Sequence, residues 1–296
     1  MPTVVHVAAE LFPVPPIRGG AAELFIEQVA ARLEHWRPVV ICRADPELPL
    51  FERQGRVEYN RIPLSGWRYR LYKRFPRRFP FYDRQVLGII EKVKPELIQV
   101  HNRPLLALYL QERLAGSIPV LLHLHNLADS LGKRERPAPG TLIPVAGVIA
   151  CSRFVLERER TRLGLGAAKF WVVYNGVDPD VFTCRWQQPD LRRHIRNHYG
   201  LRDEPTVLFV GKVRESKGVG VLVDAMAQVW PRLPEAVLML AGGTEFGQGR
   251  TERLTPFFRH LQQQLEQTAG RVIQTGFIPP AQIASIYQAG DIFVGP

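Results

Sequence analysis

The sequence predicts an α/β protein built from two domains with parallel sheets. Short apolar runs of strand length alternate with segments whose apolar residues recur at helical spacing, a pattern typical of parallel α/β units. The alternation covers residues 1–178, stops over the polar, basic and proline-containing stretch 179–205, and resumes over 206–296. A chain of 296 residues is also long enough for about two domains. We therefore predict an N-terminal domain at 1–178, a linker at 179–205 and a second domain at 206–296.

The apolar pattern predicts where the elements of each domain lie. In the helix predicted at 21–33, for example, Leu24, Phe25, Val29 and Leu33 fall on one face. The first domain is predicted to contain strands at 4–8, 39–42, 97–101, 120–125, 145–151 and 171–174, and helices at 21–33, 85–94, 105–114 and 154–163. The second is predicted to contain strands at 206–210, 236–241, 272–275 and 291–294, and helices at 219–229, 256–269 and 280–289.

Composition and charge restrict the kind of partner. Hydrophobic residues make up 46% and charged residues 23%, as in ordinary globular proteins, and no stretch approaches the roughly 18 apolar residues of a membrane span. The N-terminus lacks the basic start of a secretory signal, and the three scattered cysteines favour a reducing cytosol over disulfides or zinc. The net charge of +11 indicates an anionic partner: a phosphorylated substrate, an anionic lipid or a nucleic acid.

Much of the positive charge is concentrated in residues 67–84, here called the basic segment. No acidic residue occurs between Tyr59 and Tyr82, and aromatic residues alternate with basic ones. Pro76 and Pro80 favour a loop or short helices over one long helix. Such a composition suits an anionic membrane surface, although a solvated loop would look the same, and a nucleic-acid binder would lack any recognised module. The basic residues are Arg68, Arg70, Lys73, Arg74, Arg77, Arg78 and Arg84.

Unusual residues follow the predicted strands, where ligands bind in open parallel sheets. Gly19-Gly20 precedes a helix and could admit an anion, or could be an ordinary loop. His101 and His125 end two successive strands. They could be hydrogen-bond donors that face a ligand, or solvated or capped structural residues. In the second domain, two short segments could form a clamp for a diphosphate or could be an ordinary solvated loop. They are Gly211-Lys212 and Lys217-Gly218.

Several other classes of protein lose support because their motifs are missing from the sequence. There is no Walker A motif, no G-x-G-x-x-G after a strand, no G-x-S-x-G elbow and no H-E-x-x-H. No set of residues has the spacing of metal ligands. P-loop, dinucleotide-binding, serine-hydrolase and zinc-protease interpretations are therefore not favoured.

Taken in order, several segments resemble the retaining glycosyltransferases of family 4. The resemblance extends over nearly the whole chain, and the ordered set carries it rather than any single motif. The segments are RGGAAELF at 18–25, IQVHNR at 98–103, LLHLHN at 121–126, VIACS at 148–152, VYNGVDPDVF at 173–182, VLFVGKVRESKG at 207–218 and GFIPPAQIASIYQAGDIFVGP at 276–296.

This resemblance implies the GT-B fold, in which two Rossmann-like domains bind the acceptor mainly through the first and the donor mainly through the second. Gly19 and Gly20 would approach the donor phosphates, and His125 would contact the transferred sugar. Asn175 would bind the donor at the start of a hinge ending at Asp178, and Gly211, Lys212 and Lys217 would hold the diphosphate. His101 and Asn102 would lie on the acceptor side, and Arg74, Arg77 and Arg78 would meet the membrane.

The resemblance also implies a mechanism and a setting. A nucleotide-diphosphate sugar would be the co-substrate, the acceptor would be a saccharide or lipid-linked molecule, and transfer would retain configuration without a protein nucleophile, metal or cofactor. Electrostatic stabilisation of the leaving diphosphate would supply most of the rate enhancement. The protein would act in cell-surface polysaccharide or glycolipid synthesis, in the cytoplasm or peripherally at the inner face of the membrane.

Two departures from the family pattern keep a second interpretation open. Position 212 is Lys where the family usually has Arg, which keeps the charge but loses the planar fork. The Glu-x7-Glu motif that grips the nucleotide and the sugar is absent, because the sequence ends where it would begin. We therefore expect an incomplete second domain. The alternative to an active transferase is an inactive remnant that binds a sugar nucleotide or a membrane surface.

Overall fold

The computed structural model describes residues 1–75, 79–127, 137–138, 141, 143–163, 169–244 and 255–296. It divides into two compact units, each with its own sheet. The first unit comprises Met1–Pro16 and Gly20–Gly176, and the second comprises Ile17–Gly19 and Val177–Pro296. The predominance of parallel pairing in both sheets confirms the predicted α/β class.

The first unit is built on an eight-stranded sheet. Its strand order is β3-β4-β2-β1-β5-β6-β7-β8, and every pairing is parallel except that between β3 and β4. Strands β1, β2 and β5 to β7 consist mostly of buried residues, as expected for a sheet covered on both faces. The strands are β1 Thr3–Val7, β2 Arg37–Arg43, β3 Phe51–Gln54, β4 Val57–Ile62, β5 Leu97–His101, β6 Val120–Leu124, β7 Gly147–Ala150 and β8 Lys169–Val172.

Five helices belong to this unit over the described residues: α1 Ala21–Arg32, α2 Gly66–Arg74, α3 Phe81–Val93, α4 Pro104–Arg113 and α5 Arg153–Arg162. Local chemistry sets several of their starts. Pro104 begins α4, where its missing N–H costs nothing, and the Ser152 hydroxyl accepts the Val155 N–H at 3.2 Å to cap α5. The basic segment contains α2 and the start of α3, as the short-helix alternative predicted.

The second unit has a four-stranded parallel sheet in the order β11-β10-β9-β12. The central strand β10 is buried along its whole length, and α7 and α8 contribute Val223, Met226 and Leu261 to the core beside it. The strands are β9 Thr206–Val210, β10 Val237–Ala241, β11 Arg271–Gly276 and β12 Ile292–Phe293. The helices are α6 Pro189–His198, α7 Val219–Val229, α8 Pro256–Glu266 and α9 Ile283–Tyr287.

The stretch predicted as a linker, 179–205, differs from that description because it contains α6. Arg196 of this helix is buried, and its guanidinium donates to the carbonyl oxygens of Ala289, Glu204 and Arg202, each at 2.7 Å. Because these acceptors flank β9 and β12, the hydrogen bonds hold α6 against the second sheet. The stretch is polar and basic partly because its guanidinium groups donate hydrogen bonds to backbone carbonyl oxygens, and partly because other side chains are exposed to water.

Candidate functional site

Four histidines lie together in the first unit, at or next to the carboxyl ends of three neighbouring strands. We call His6, His101, His123 and His125 the histidine cluster. Strand β1 pairs with β5 so that His6 is opposite Gln99, and β5 pairs with β6 so that His101 is opposite His123. The first three histidines are buried and His125 is half-buried. The predicted pair His101 and His125 is therefore part of a larger constellation.

Hydrogen bonds connect the rings of the cluster in a line. Nδ1 of His6 lies 3.3 Å from Nε2 of His101, and Nδ1 of His101 lies 2.9 Å from Nε2 of His125. Beside this line, the ring of His123 stacks on that of His125 with centroids 4.1 Å apart, and its Nδ1 lies 2.7 Å from Nε2 of Gln99. The four rings form one connected polar group among the buried apolar residues of β1, β5 and β6.

Asn102 fixes the backbone that carries His125. Its side-chain oxygen accepts the His125 N–H at 2.8 Å and the Asn126 N–H at 3.3 Å, and its own backbone N–H donates to the carbonyl of His123 at 2.8 Å. Asn102 has φ of 54°, a left-handed conformation that asparagine tolerates better than most residues. His101 and Asn102, predicted on the acceptor side, are both buried and both hold His125 in place.

Burial keeps the cluster uncharged at neutral pH. Desolvation lowers the pKa of His6 to about 4, of His123 to about 3 and of His125 to about 4. The pKa of His101 is held well below its usual range, chiefly by desolvation and then by the neighbouring histidines. Each ring is thus a neutral imidazole near pH 7, with one N–H donor and one bare nitrogen acceptor.

Three of these imidazoles could also hold a metal ion. One nitrogen each of His101, His123 and His125 lies within 4.8 Å of the others, and neutral imidazole is a common ligand of zinc and copper. However, the planes of His101 and His123 are each within 16° of that of His125. Lone pairs lie in the ring plane, so stacked rings must rotate before His123 and His125 could point at one ion. The sequence-based expectation of no metal stays a prediction.

A second polar cluster lies where β1 and β5 end, around the buried guanidinium of Arg103. Its Nη2 donates to the Tyr72 hydroxyl at 3.2 Å and to Asp83 Oδ1 at 2.9 Å, and its Nη1 lies 3.6 Å from Glu10 Oε2. The Tyr72 hydroxyl donates in turn to the Glu10 carboxylate. Burial raises the pKa of Asp83, and Arg103 opposes that shift. These contacts join the segment after β1 to α2, α3 and the start of α4 within the first unit.

Gly20 lies at the start of α1, directly beneath the carboxyl group of Glu23. A Cβ at position 20 would overlap Glu23 Oε2, and the φ of 123° at Gly20 is itself unfavourable for other residues. Glu23 is buried, and its carboxylate accepts a hydrogen bond from its own backbone N–H. The helix N-terminus predicted to receive an anion therefore already holds a carboxyl group, whose pKa burial raises to about 7.

In the second unit, β9 and β10 continue side by side beyond the sheet. The Gly211 N–H donates to Ala241 O at 2.9 Å, and the Val213 N–H donates to Gly243 O at 3.1 Å. Gly242 has φ of 145°, and a Cβ there would collide with the Gly211 carbonyl oxygen. Only glycine at position 242 allows these two backbone segments to lie so close together.

The two predicted lysines follow directly from β9. Lys212 comes after Gly211 and is half-buried, whereas Lys217 is exposed and ends a short 3-10 helix at Glu215–Lys217. Gly218, with φ of 67°, is the N-cap residue before α7, so Lys217 lies near the unpaired N–H groups of that helix. Thr244 is buried beyond β10, and its hydroxyl has no hydrogen-bond partner in the described part of the chain.

The other predicted residues are more dispersed. Asn175 is exposed next to the boundary between the units, and Gly19 is grouped with the second unit. Arg74 is exposed at the end of α2. Arg77 and Arg78 lie outside the described residues. Within the described part of the chain, no helix combines the length and apolar composition needed to cross a membrane.

Sequence reasoning missed several polar residues that the structure brings to these places. His6 and His123 lie inside apolar strands and look like isolated core histidines in the sequence; only the pairing of β1, β5 and β6 joins them. Glu10 and Tyr72 are 62 residues apart yet hydrogen-bonded. The one local signal available was His-Leu-His at 123–125, which places two imidazoles on the same side of a strand.

Comparison with known families identifies the chain. Residues 18–181, more than half of it, match the model of Glycosyltransferase Family 4, and residues 204–296 match that of Glycosyl transferases group 1. The chain belongs to the family 4 glycosyltransferases, which confirms the resemblance drawn from the ordered motifs.

Relatives and solved structures agree with this assignment. The chain is 27% identical to putative glycosyltransferase YtcC of Bacillus subtilis, over 98% of this chain and 68% of that protein. It is 22% identical to lipopolysaccharide 1,2-N-acetylglucosaminetransferase of Salmonella typhimurium, over 99% of this chain and 73% of that protein. The structure of Anabaena HepE in complex with UDP and glucose is similar with a TM-score of 0.69 at 19% identity, covering 99% of this chain and 73% of HepE. The likeness confirms the GT-B fold.

Proposed function

We propose that this chain is a retaining glycosyltransferase that uses a nucleotide-diphosphate sugar and a saccharide or lipid-linked acceptor in cell-surface polysaccharide or glycolipid synthesis. The observation that carries the donor proposal is the loop after β9, where Gly211, Lys212 and Lys217 follow a strand at the carboxyl edge of the second sheet. Ligands of open parallel sheets bind at this edge.

The chemistry of the loop suits a diphosphate. Two cationic side chains and the N-terminus of α7 would stabilise the negative charge that develops on the leaving group as the glycosidic bond breaks. Gly242 lets the backbone after β10 pack against the Gly211 backbone, which fixes the loop, and the Thr244 hydroxyl offers a further donor. HepE was solved with UDP and glucose, which supports a nucleotide-linked donor for this chain as well.

In the first unit, His125 is the residue we assign to the transferred sugar. Its neutral imidazole can donate a hydrogen bond to a sugar oxygen but carries no charge to stabilise an oxyanion. The acceptor hydroxyl would attack on the face the leaving group departs from, and its proton would pass to an oxygen of the departing diphosphate. No protein nucleophile, metal or other cofactor takes part in this proposal.

The acceptor proposal rests on the surface of the basic segment. Trp67, Arg70, Arg74, Phe75 and Phe79 are all exposed there, and interleaved aromatic and basic side chains suit the interface of an anionic membrane. The Salmonella relative is named for lipopolysaccharide, a lipid-linked acceptor. A peripheral position at the inner face of the membrane would bring such an acceptor to the first unit.

Calorimetric titration of the purified chain with UDP and GDP tests the donor site. Loss of a charge-assisted hydrogen bond costs about 1.5–3 kcal/mol, so Lys212→Ala or Lys217→Ala should weaken binding by roughly 10- to 100-fold. The control is Arg232→Ala, which removes an exposed charge from the turn before β10, at the opposite edge of the sheet. Unchanged affinity in both lysine variants would mean that the lysines are merely solvated.

Turnover separates the transferase from the alternative of a binding remnant. The chain would be incubated with radiolabelled UDP- and GDP-sugars and a lipid-linked saccharide extract, and the anomeric configuration of any product read by proton NMR. Transfer with retention supports the proposal, whereas nucleotide binding without transfer favours the remnant. Transfer with inversion would contradict the proposed mechanism.

A further inference from the structure

The hydrogen bonds along the line of rings from His6 through His101 to His125 all run in one direction. We propose that His6 and His101 are positioning residues that fix the tautomer of His125, so that His125 carries its hydrogen on Nδ1 and offers that N–H to an acceptor oxygen of its ligand. The identity of that ligand as a sugar rests on the proposed function. The tautomer itself follows from the contacts among the three rings.

Counting hydrogens leaves two arrangements. Each neutral imidazole has one N–H, and each of the two contacts, at 3.3 Å and 2.9 Å between nitrogens, needs one hydrogen between its atoms. His101 takes part in both contacts, so it donates in one and accepts in the other. The hydrogens therefore all point outward from His6 to His125, or all point inward from His125 to His6.

The buried end of the line decides between them. Nε2 of His6 is buried and has no hydrogen-bond partner among the residues described. The inward arrangement would place an N–H on that atom, whereas the outward arrangement leaves only a lone pair there. Orphaned buried N–H groups are rarer in proteins than under-satisfied acceptors. The outward arrangement is therefore favoured, and its last N–H belongs to His125, the half-buried member of the line.

The surroundings of the line keep it uncharged and in place. The ring of His123 stacks on those of His101 and His125, with centroids 5.1 Å and 4.1 Å away, and Phe25 meets His125 edge-on at 4.9 Å. Asn102 fixes the His125 backbone at 2.8 Å. Desolvation lowers the pKa values of all three rings in the line, which keeps each imidazole to a single hydrogen.

This order has a consequence for selectivity. Reversing the His125 tautomer requires all three hydrogens to move, so His125 acts as a donor and not as an acceptor. It would favour a ligand oxygen that accepts a hydrogen bond, and would disfavour a ligand group that can only donate. His6, deep in β1, would thus influence ligand choice without touching the ligand.

Long-range proton–nitrogen NMR of the full chain, labelled with nitrogen-15 histidine, tests the proposal at pH 7.5. We expect His125 to show a protonated-type Nδ1 and a bare-type Nε2, and His6 and His101 to show the same pattern. A His125 hydrogen on Nε2, or an imidazolium signal, would overturn the proposal. The spectrum requires no turnover, so its result is independent of whether the chain transfers sugar.

A pair of variants separates positioning from packing. His6→Phe removes the first link and should let His101 and His125 populate both tautomers, seen as intermediate nitrogen shifts for His125. His123→Phe removes a stacked ring but leaves the line intact, and should keep the His125 tautomer unchanged. An unchanged tautomer in folded His6→Phe protein would refute the positioning role of His6.

The same spectra, recorded with one equivalent of zinc chloride, address the metal alternative. Zinc bound at His101 and His125 would replace the hydrogen between them and shift both nitrogens. Zinc found already bound at these histidines in the purified wild-type chain would overturn the hydrogen-bonded line as the resting state. His101 and His125 nitrogen shifts that added zinc leaves unchanged would support it.

Discussion

Glu23 gives the first unit a pH-dependent stability that one substitution can isolate. Its carboxyl group is buried at the start of α1, and burial raises its pKa from 4.5 to about 7. Below pH 4.5 the group is protonated in both the folded and the unfolded chain and contributes no difference. As the pH rises toward 7 the unfolded chain ionises first, so the free energy of unfolding falls. Above pH 7 the loss is complete.

The size of the effect follows from the pKa difference. At 1.36 kcal/mol for each pKa unit, a rise from 4.5 to about 7 corresponds to a loss of about 3 kcal/mol. Glu23→Gln keeps the shape of the side chain and removes the ionisation. We expect this variant to gain up to about 3 kcal/mol over the wild type at pH 8, and almost nothing at pH 4.5. The histidine cluster destabilises both proteins alike as the pH falls, so it cancels in the difference.

The assay is urea unfolding between pH 4.5 and 8, followed by hydrogen exchange of peptides from 20–176 so that the first unit is measured separately. Glu91→Gln, at an exposed position of α3, is the matched control for replacing a glutamate by glutamine. A difference between Glu23→Gln and wild type that stays constant across this range would refute the reasoning.

Two further predictions concern the membrane surface and the close approach of β9 and β10. Wild-type protein should sediment with anionic but not neutral liposomes, and replacing Arg74, Arg77 and Arg78 with Ser should remove about 1 kcal/mol each. The same replacement of three exposed α5 arginines should have a smaller effect, and indifference of the wild type to anionic liposomes at moderate salt would exclude the membrane role. At Gly276 a Cβ would meet no neighbouring atom, but the φ of 68° is unfavourable for alanine. Gly276→Ala should therefore lower the free energy of unfolding in urea by about 1–2 kcal/mol. Gly242→Ala should cost more than that and also weaken nucleoside diphosphate binding, because its Cβ collides with backbone; equal losses would contradict the proposed steric role. The α5 control residues are Arg153, Arg158 and Arg160.

Elements with a strong apolar pattern were predicted closely, and weakly patterned ones were not. Strands β5 and β9 and helix α7 have the predicted bounds. Strands β3 and β4 were missed because neither has a sustained apolar pattern: β3, at the sheet edge, contains only exposed and half-buried residues, and β4 alternates buried and half-buried residues over its first four positions. Helix α6 was missed because its buried residue is Arg196 and most of its other residues are polar, so that it looks like a linker in the sequence.

The sequence by itself determined the fold class, the family and the edge of each sheet where polar residues collect, because apolar periodicity and motif order are local properties. His125, Lys212 and Lys217 were named as candidate site residues in this way. The tertiary structure alone decided which groups meet. Strand register brings His6 within reach of His101 across 95 residues, and burial then makes every ring in that line neutral. Hydrogen-bond partners and desolvation depend on packing between distant segments, and no local pattern records either.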